Sequence, residues 1–125
     1  MKVKGEYELN ALIEKIKEFP EVLAIIIFGS YAKETAKEIS DIDIAVVVRD
    51  PDKHIEGEIG SMYSPKFDVV LFHHLPLHIQ FEVLKQGKAV FCRDEKNLLE
   101  IKRRVLGEYM EMSDMYERIK RRVLA

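Results

Sequence analysis

Two apolar runs joined through a glycine-serine pair constrain the fold of this chain more than any other feature. The first run, Val22–Phe28, is short, continuous and rich in β-branched residues, which favours a strand buried on both faces. Gly29 ends the run, and glycine allows a sharp bend or a close approach to a ligand. Ser30 is suited to capping a helix over residues 31–37. Free N–H groups at that helix N-terminus would favour a phosphate.

The second apolar run, residues 41–48, carries two acids. Successive side chains of a strand alternate between faces, so Asp41 and Asp43 share one face while Ile42 and Ile44 lie on the core face. The Cα atoms of the two acids would lie roughly 6.6 Å apart. Two carboxylates at this spacing can converge on a hard cation such as Mg²⁺, which prefers oxygen ligands.

A third acid, Asp68, interrupts an apolar segment over residues 66–72 that predicts another strand. Burying an ionised carboxylate without a partner is costly. Asp68 therefore either serves a site or marks the exposed start of the strand.

The residues of the first two runs resemble the signature of a known superfamily. Gly29-Ser30, ten residues, and then Asp41-Ile42-Asp43 look like the motif of the DNA polymerase β-like nucleotidyltransferases. The surrounding residues resemble the small branch of this superfamily, the minimal nucleotidyltransferases that are often paired with a HEPN-domain protein. The resemblance covers about residues 22–94, and Asp68 matches the position of the family's third acid.

The resemblance implies a metal-dependent nucleotidyltransferase. Asp41, Asp43 and Asp68 would be the catalytic residues and would hold two Mg²⁺ ions, while Gly29 and Ser30 would bind the phosphates of the nucleotide. The implied reaction transfers AMP from ATP, or the equivalent group from another nucleoside triphosphate, to an acceptor hydroxyl. The implied acceptor is a tyrosine of a HEPN-type toxin, which makes this chain the antitoxin.

Two alternatives come from other parts of the sequence. Glu34 stands where many relatives have a glycine, which is compatible with an inactive domain that binds a nucleotide or neutralises its partner by contact alone. The long C-terminal helix predicted over residues 95–123 reaches about 40 Å, more than a small domain needs. Its apolar stripe therefore indicates contact with another chain, either a partner or a second copy.

Composition places the chain among small globular proteins. With 125 residues and 47% hydrophobic residues it suits a single domain over residues 1–125. The formal net charge of -2 gives no signal for nucleic acid. One cysteine, Cys92, excludes an internal disulfide and suits the cytoplasm. We find no apolar run of about 18 residues, so we expect no membrane span.

The remaining pattern predicts an α/β fold, with a mixed sheet of about four strands, helices packed on it and a long C-terminal helix. A helix over residues 6–19 and another after Pro76 have apolar inner faces, and residues 88–92 form a short strand at a sheet edge. Residues 54–64 are ambiguous: Ile55 and Ile59 have helical spacing, but Gly57 and Gly60 weaken a helix, and we expect a short, mobile excursion over the sheet. His73, His74 and His78 lack an obvious acid or cysteine to complete a zinc site, and we interpret them as surface residues.

Overall fold

A four-stranded mixed sheet lies at the centre of the structure, a computed structural model that describes residues 6–29, 42–62 and 66–124. The strands are β1 Val22–Phe28, β2 Ile42–Val48, β3 Phe67–Leu71 and β4 Lys88–Cys92. The helices are α1 Glu6–Lys17, α2 Lys53–Gly60, α3 Leu77–Gln86 and α4 Glu95–Leu124, and a 3₁₀ turn over Phe72–His74 follows β3.

The strands lie in the order β3-β2-β1-β4. The central strand β1 pairs antiparallel with both β2 and β4. β2 pairs parallel with β3, and α2 lies in the connection between them. β1 and β2 are buried along almost their whole length, because each has a neighbour on both sides and helices on both faces.

Two hydrophobic clusters cover the two faces of the sheet. On one face, alternate residues of the strands pack with α1 and α2; on the other, they pack with the 3₁₀ turn, α3 and α4. The division follows the period of two along each strand. In β2, for example, Ile44 and Val46 belong to the first cluster and Ala45 and Val47 to the second.

Arg93 connects the end of α1 to the sheet. Its Nη2 donates to the carbonyl oxygen of Lys17 at 2.7 Å, and its Nε donates to that of Val22 at 2.9 Å. The last carbonyls of a helix lack partners within the helix, so a guanidinium at this position satisfies one of them. The next residue, Asp94, caps α4 by accepting from the Asn97 N–H at 3.1 Å.

The predicted architecture is confirmed: a mixed sheet of four strands, helices packed on it and a long C-terminal helix. Helical spacing and glycine content gave opposite indications for residues 54–64, and the structure shows a helix over most of the described ones. Residues 53–60 form α2, whose N-cap Asp52 accepts from the Ile55 N–H at 2.9 Å. The capping bond and the burial of Ile55 and Ile59 outweigh the low helix propensity of the two glycines.

The apolar stripe of α4 is covered at its start and uncovered at its end. Leu98 and Val105 are buried, and Tyr109 stacks on Phe81 of α3 with 4.1 Å between ring centroids. Beyond Tyr109 the stripe is exposed, for example Tyr116 at 66% and Val123 at 75%. The helix thus extends past the domain's own core.

None of the helices in the described ranges has the length and apolar character needed to cross a membrane.

The contact geometry of two glycines leads to opposite expectations for alanine substitutions. A Cβ on Gly87, between α3 and β4, would lie 2.6 Å from Ile26 Cγ2 and 3.1 Å from the Ile27 carbonyl oxygen. A Cβ on Gly107, within α4, would meet no atom within 4 Å in the part of the chain that the structure describes. We expect Gly87→Ala to lower the free energy of unfolding by about 1–3 kcal/mol through overpacking. Gly107→Ala should raise it by about 0.5–1 kcal/mol.

Urea denaturation of both variants and the parent chain measures these changes. Equal unfolding midpoints for the two variants would contradict the tight packing of Gly87 against β1.

Candidate active site

The turn after β1 brings the backbone of Gly29 against the carboxylate of Asp43. Phe28, the last residue of β1, pairs with Asp43 of β2, so Gly29 follows directly beside this acid. Gly29 has φ of 81°, in the left-handed region that non-glycine residues rarely occupy. A Cβ at this position would lie 2.5 Å from Asp43 Oδ2. Both the backbone angle and the close approach therefore require glycine.

The parallel register places the second acid next to the first. Asp43 of β2 is the partner of Asp68 of β3. Adjacent strands lie about 4.8 Å apart, and directly opposed residues project from the same face. Asp43 is half-buried and Asp68 is exposed. The two carboxylates thus lie side by side at one end of the sheet, where both parallel strands begin.

The acids project from the sheet face that carries α3 and α4. Ala45 and Val47, two and four residues after Asp43, belong to the cluster that includes Val83 of α3 and Val105 of α4. Val70, two residues after Asp68, packs against the same cluster. Asp43 and Asp68 therefore lie next to each other across the end of this face, beside Phe28, and we call these two residues the acid row.

The donor chemistry of this row fits a hard divalent cation. Two neighbouring carboxylates repel each other, and a cation held between them removes the repulsion. Both offer oxygen ligands only, which suits Mg²⁺. The absence of a side chain at Gly29 lets its backbone lie against the Asp43 carboxylate. These two acids and the glycine turn could accordingly hold a metal together with the phosphates of a ligand.

Three of the five residues predicted for the site come together in the structure. Gly29, Asp43 and Asp68 lie at the same end of the sheet, whereas Ser30 and Asp41 lie outside the described residues, as does Glu34. Asp68 lies at the exposed start of its strand, which was one of the two alternatives from the sequence. It is the second residue of the outer strand β3 and is exposed, so no burial cost accompanies its charge.

A second cluster, made of one carboxylate and two imidazoles, lies beyond the opposite end of β3. His73 Nε2 is 2.7 Å from Glu56 Oε1, and His74 Nε2 is 3.2 Å from the same oxygen. The sequence interpretation of the histidines as lacking an acid was wrong, since Glu56 supplies one. The cap signal of Asp52 could have revealed α2 and placed Glu56 on a helix, but nothing in the sequence pairs that helix with the histidines.

The histidines also favour the ionised form of Glu56. The hydrogen bond from His73 is the main cause that lowers the pKa of the Glu56 carboxyl below its usual value, and His74 acts in the same direction. The ionised carboxylate is therefore favoured beside the two imidazoles.

Comparison with known proteins places these features in a family. Residues 10–96 match the family described as Polymerase beta, Nucleotidyltransferase. A relative from Methanocaldococcus jannaschii that carries the provisional name protein adenylyltransferase is 39% identical over 82 residues. That match covers 64% of this chain and 63% of the relative, so the chain spans somewhat less than two thirds of the relative's length.

Solved structures share the fold over nearly the whole chain. One, described as a toxin-antitoxin with AMP-PNP, matches with a TM-score of 0.68 and 24% identity over 92% of this chain and 98% of that chain. Another, described as a tri-AMPylated Shewanella oneidensis HEPN toxin in complex with MNT antitoxin, matches with a TM-score of 0.66 and 22% identity, covering 97% of each chain. At these identities the likeness establishes the fold.

The matched range of residues 10–96 takes in more than half of the chain. It contains the glycine turn, the paired acids and the acid of β3. The protein therefore belongs to the polymerase beta nucleotidyltransferase family.

Proposed function

We propose that this protein transfers AMP from ATP to a hydroxyl group on a HEPN-domain partner protein and thereby acts as an antitoxin. The observation that carries the proposal is the position of the Gly29 turn beside the acid row of Asp43 and Asp68. The relative named as a protein adenylyltransferase and the AMPylated toxin bound to a structural neighbour support AMP as the transferred group and a protein as the acceptor.

The proposed reaction exchanges one phosphorus–oxygen bond of ATP for another. The acceptor oxygen forms a bond to the α-phosphorus of ATP, and the bond from that phosphorus to the oxygen bridging to the β-phosphorus breaks. Pyrophosphate leaves with the electron pair. The hydroxyl proton passes to the carboxylate of Asp68, which is exposed on the outer described strand and can be reached by an acceptor carried on another protein.

Asp43 and the glycine turn would position the nucleotide. Asp43 is half-buried on a strand paired on both sides, so its carboxylate is held more rigidly than that of Asp68. The backbone of Gly29, together with Ser30, would bind the terminal phosphates through N–H and hydroxyl donors. Asp41, Asp43 and Asp68 would hold Mg²⁺, two ions in our proposal. When bound, the metal lowers the pKa of the acceptor hydroxyl and neutralises charge on the leaving pyrophosphate.

The distal part of α4 is suited to holding the partner. Its exposed apolar residues include Tyr116, Ile119 and Val123, in continuation of the stripe whose start packs on the sheet. That start lies on the same sheet face as the acid row. A partner seated on the distal stripe would therefore lie on the side of the sheet from which the acids project. A second copy of the chain is the competing occupant.

Substitution of the two described acids tests the catalytic roles. Asp68→Asn should lower the rate of AMP transfer about 100-fold or more, because a proton acceptor is lost, while the dissociation constant of Mg-ATP changes about threefold or less. Asp43→Asn should abolish transfer and leave the unfolding midpoint unchanged or higher, since it relieves repulsion between the acids. Transfer is measured with α-³²P-ATP and the purified HEPN-domain partner, and nucleotide affinity by titration calorimetry.

Asp50→Asn, in the exposed turn after β2, is the matched control and should keep the parent rate. An unlabelled partner that is nonetheless neutralised by the parent chain would favour contact alone over transfer. Full activity of Asp43→Asn would exclude a metal-binding role for that carboxylate.

Alanine at Gly29 tests the close approach of the turn to Asp43. Gly29→Ala should lower the free energy of unfolding by about 1–2 kcal/mol because of the left-handed backbone, and transfer should fall as the new Cβ displaces the Asp43 carboxylate. Gly60→Ala, where a Cβ meets no atom of the described residues within 4 Å, is the control and should retain transfer. Urea denaturation and the radiolabel assay give the two readouts; parent-like transfer by Gly29→Ala would contradict the proposed phosphate seat.

A charge on the distal stripe of α4 tests the docking surface. Ile119→Asp should weaken binding of the HEPN-domain partner at least about tenfold, because it places a charge in an apolar contact. Glu117→Gln, two residues away on the same exposed helix, should have little effect. Calorimetry measures partner binding, and light scattering measures the mass of the chain alone. A mass that falls to the monomer only in Ile119→Asp would assign the stripe to self-association.

A further inference from the structure

Three side chains with the ligand chemistry of a transition-metal site converge at the end of the sheet opposite the acid row. Glu56 lies on α2, and His73 and His74 lie in the 3₁₀ turn after β3. One ligand atom from each residue lies within 4.8 Å of the other two. The 3₁₀ turn that carries the histidines begins at Phe72, four residues after Asp68. Four residues of extended chain span roughly 13 Å, so this cluster is distinct from the acid row.

The distances fit a shared ion with little rearrangement. Both imidazole Nε2 atoms face Glu56 Oε1, at 2.7 and 3.2 Å. Zinc–ligand bonds of about 2.0–2.2 Å place tetrahedral ligand atoms about 3.3 Å apart. The Glu56 oxygen and the His73 nitrogen therefore need to separate by only about half an ångström, and the His74 nitrogen is already close to the required distance from that oxygen. The two rings are inclined at 63°, so they are not stacked against each other.

The backbone segments that carry the three ligands are held in place independently. Ile55 and Ile59, on either side of Glu56 in α2, are buried in the core. Phe72, beside His73, is buried as well, and its carbonyl oxygen accepts from Gln80 Nε2 at 3.0 Å and from the Leu75 N–H at 3.1 Å. Rigid supports of this kind favour a preorganised metal site.

The cluster is also open to an ion from solvent. The side chains of Glu56 and His73 are 27% and 30% exposed, and that of His74 is 56% exposed. Glu56 and His74 line a groove whose floor includes Gly57 and Gly60, and the lack of side chains there leaves access. Lys53 lines the same groove, and its positive charge disfavours binding of a cation there. Its side chain is exposed and can turn toward solvent.

We propose that Glu56, His73 and His74 form a binding site for a divalent transition-metal ion, with zinc as the best fit. Two imidazoles and one carboxylate are a zinc ligand set that leaves a fourth position for water or a further ligand. Mg²⁺ prefers oxygen donors and keeps its own waters, so the nitrogen-rich cluster and the acid row would select different ions. An ion here would join α2 to the end of β3 and stabilise the folded chain by linkage.

Titration calorimetry of the full chain with zinc chloride, in excess Mg²⁺ to occupy the acid row, tests the proposal. We expect one zinc ion per chain at this cluster. Glu56→Gln and His73→Ala should each weaken zinc binding about tenfold or more, because even loss of an outer-shell partner costs about 10–100-fold. His78→Ala and Glu58→Gln, exposed residues of the same types outside the cluster, should bind zinc like the parent chain.

The double variant Asp43→Asn/Asp68→Asn separates this site from the acid row and should retain the zinc affinity of the parent. Nitrogen-15 NMR of the unsubstituted chain adds a readout that does not depend on folding of a variant. On addition of zinc, the ring nitrogens of His73 and His74 should shift while those of His54 and His78 do not.

Unchanged zinc affinity in both Glu56→Gln and His73→Ala would overturn the proposal. So would zinc binding that disappears in the Asp43→Asn/Asp68→Asn variant, or ring-nitrogen shifts confined to His54 or His78.

Discussion

The parallel pairing of β2 with β3 is the constraint on which the candidate active site depends. Its register sets Asp43 opposite Asp68 and Ile44 opposite Val69. A slip of one residue in either strand would turn all of its side chains to the other face. An acid would then enter the aliphatic cluster beneath α1 and α2. Burying an ionised carboxylate is far more costly than burying a hydrocarbon side chain, so the hydrophobic pattern that folds the sheet also fixes the acids.

The antiparallel pairing of β1 with β2 adds the glycine turn to the same end of the sheet. Phe28 opposite Asp43 leaves the next residue beside the carboxylate, and a left-handed glycine is the backbone solution there. Site residues on strands and at a strand end are positioned more rigidly than residues on long loops. The fold thus positions the carboxylates before any ligand binds.

The sequence predicted those parts of the protein in which local pattern and tertiary contact agree. β-Branched runs predicted β1 and β2, and the alternation along β2 predicted the face of Asp43. The sequence left the exposure of Asp68 open, because exposure depends on β3 being the outer strand of the described sheet. Residues 53–60 stayed ambiguous because the helical spacing of Ile55 and Ile59 competed with the low helix propensity of two glycines. The Glu56–His73 contact joins α2 to the 3₁₀ turn after β3. No local sequence pattern encodes such a pair.

The two ends of the outer strand carry different chemistry, and the strand between them keeps the two sets of ligands apart. At the start of β3, Asp68 adds an oxygen donor to a row that contains only carboxylates; beyond its end, His73 and His74 bring nitrogen donors to one carboxylate. Hard ions prefer the first set and borderline ions the second. α2, which carries Glu56, covers the opposite sheet face from the acid row. An ion that fixes α2 would therefore stiffen β3 from behind and leave the face of Asp68 open to an acceptor.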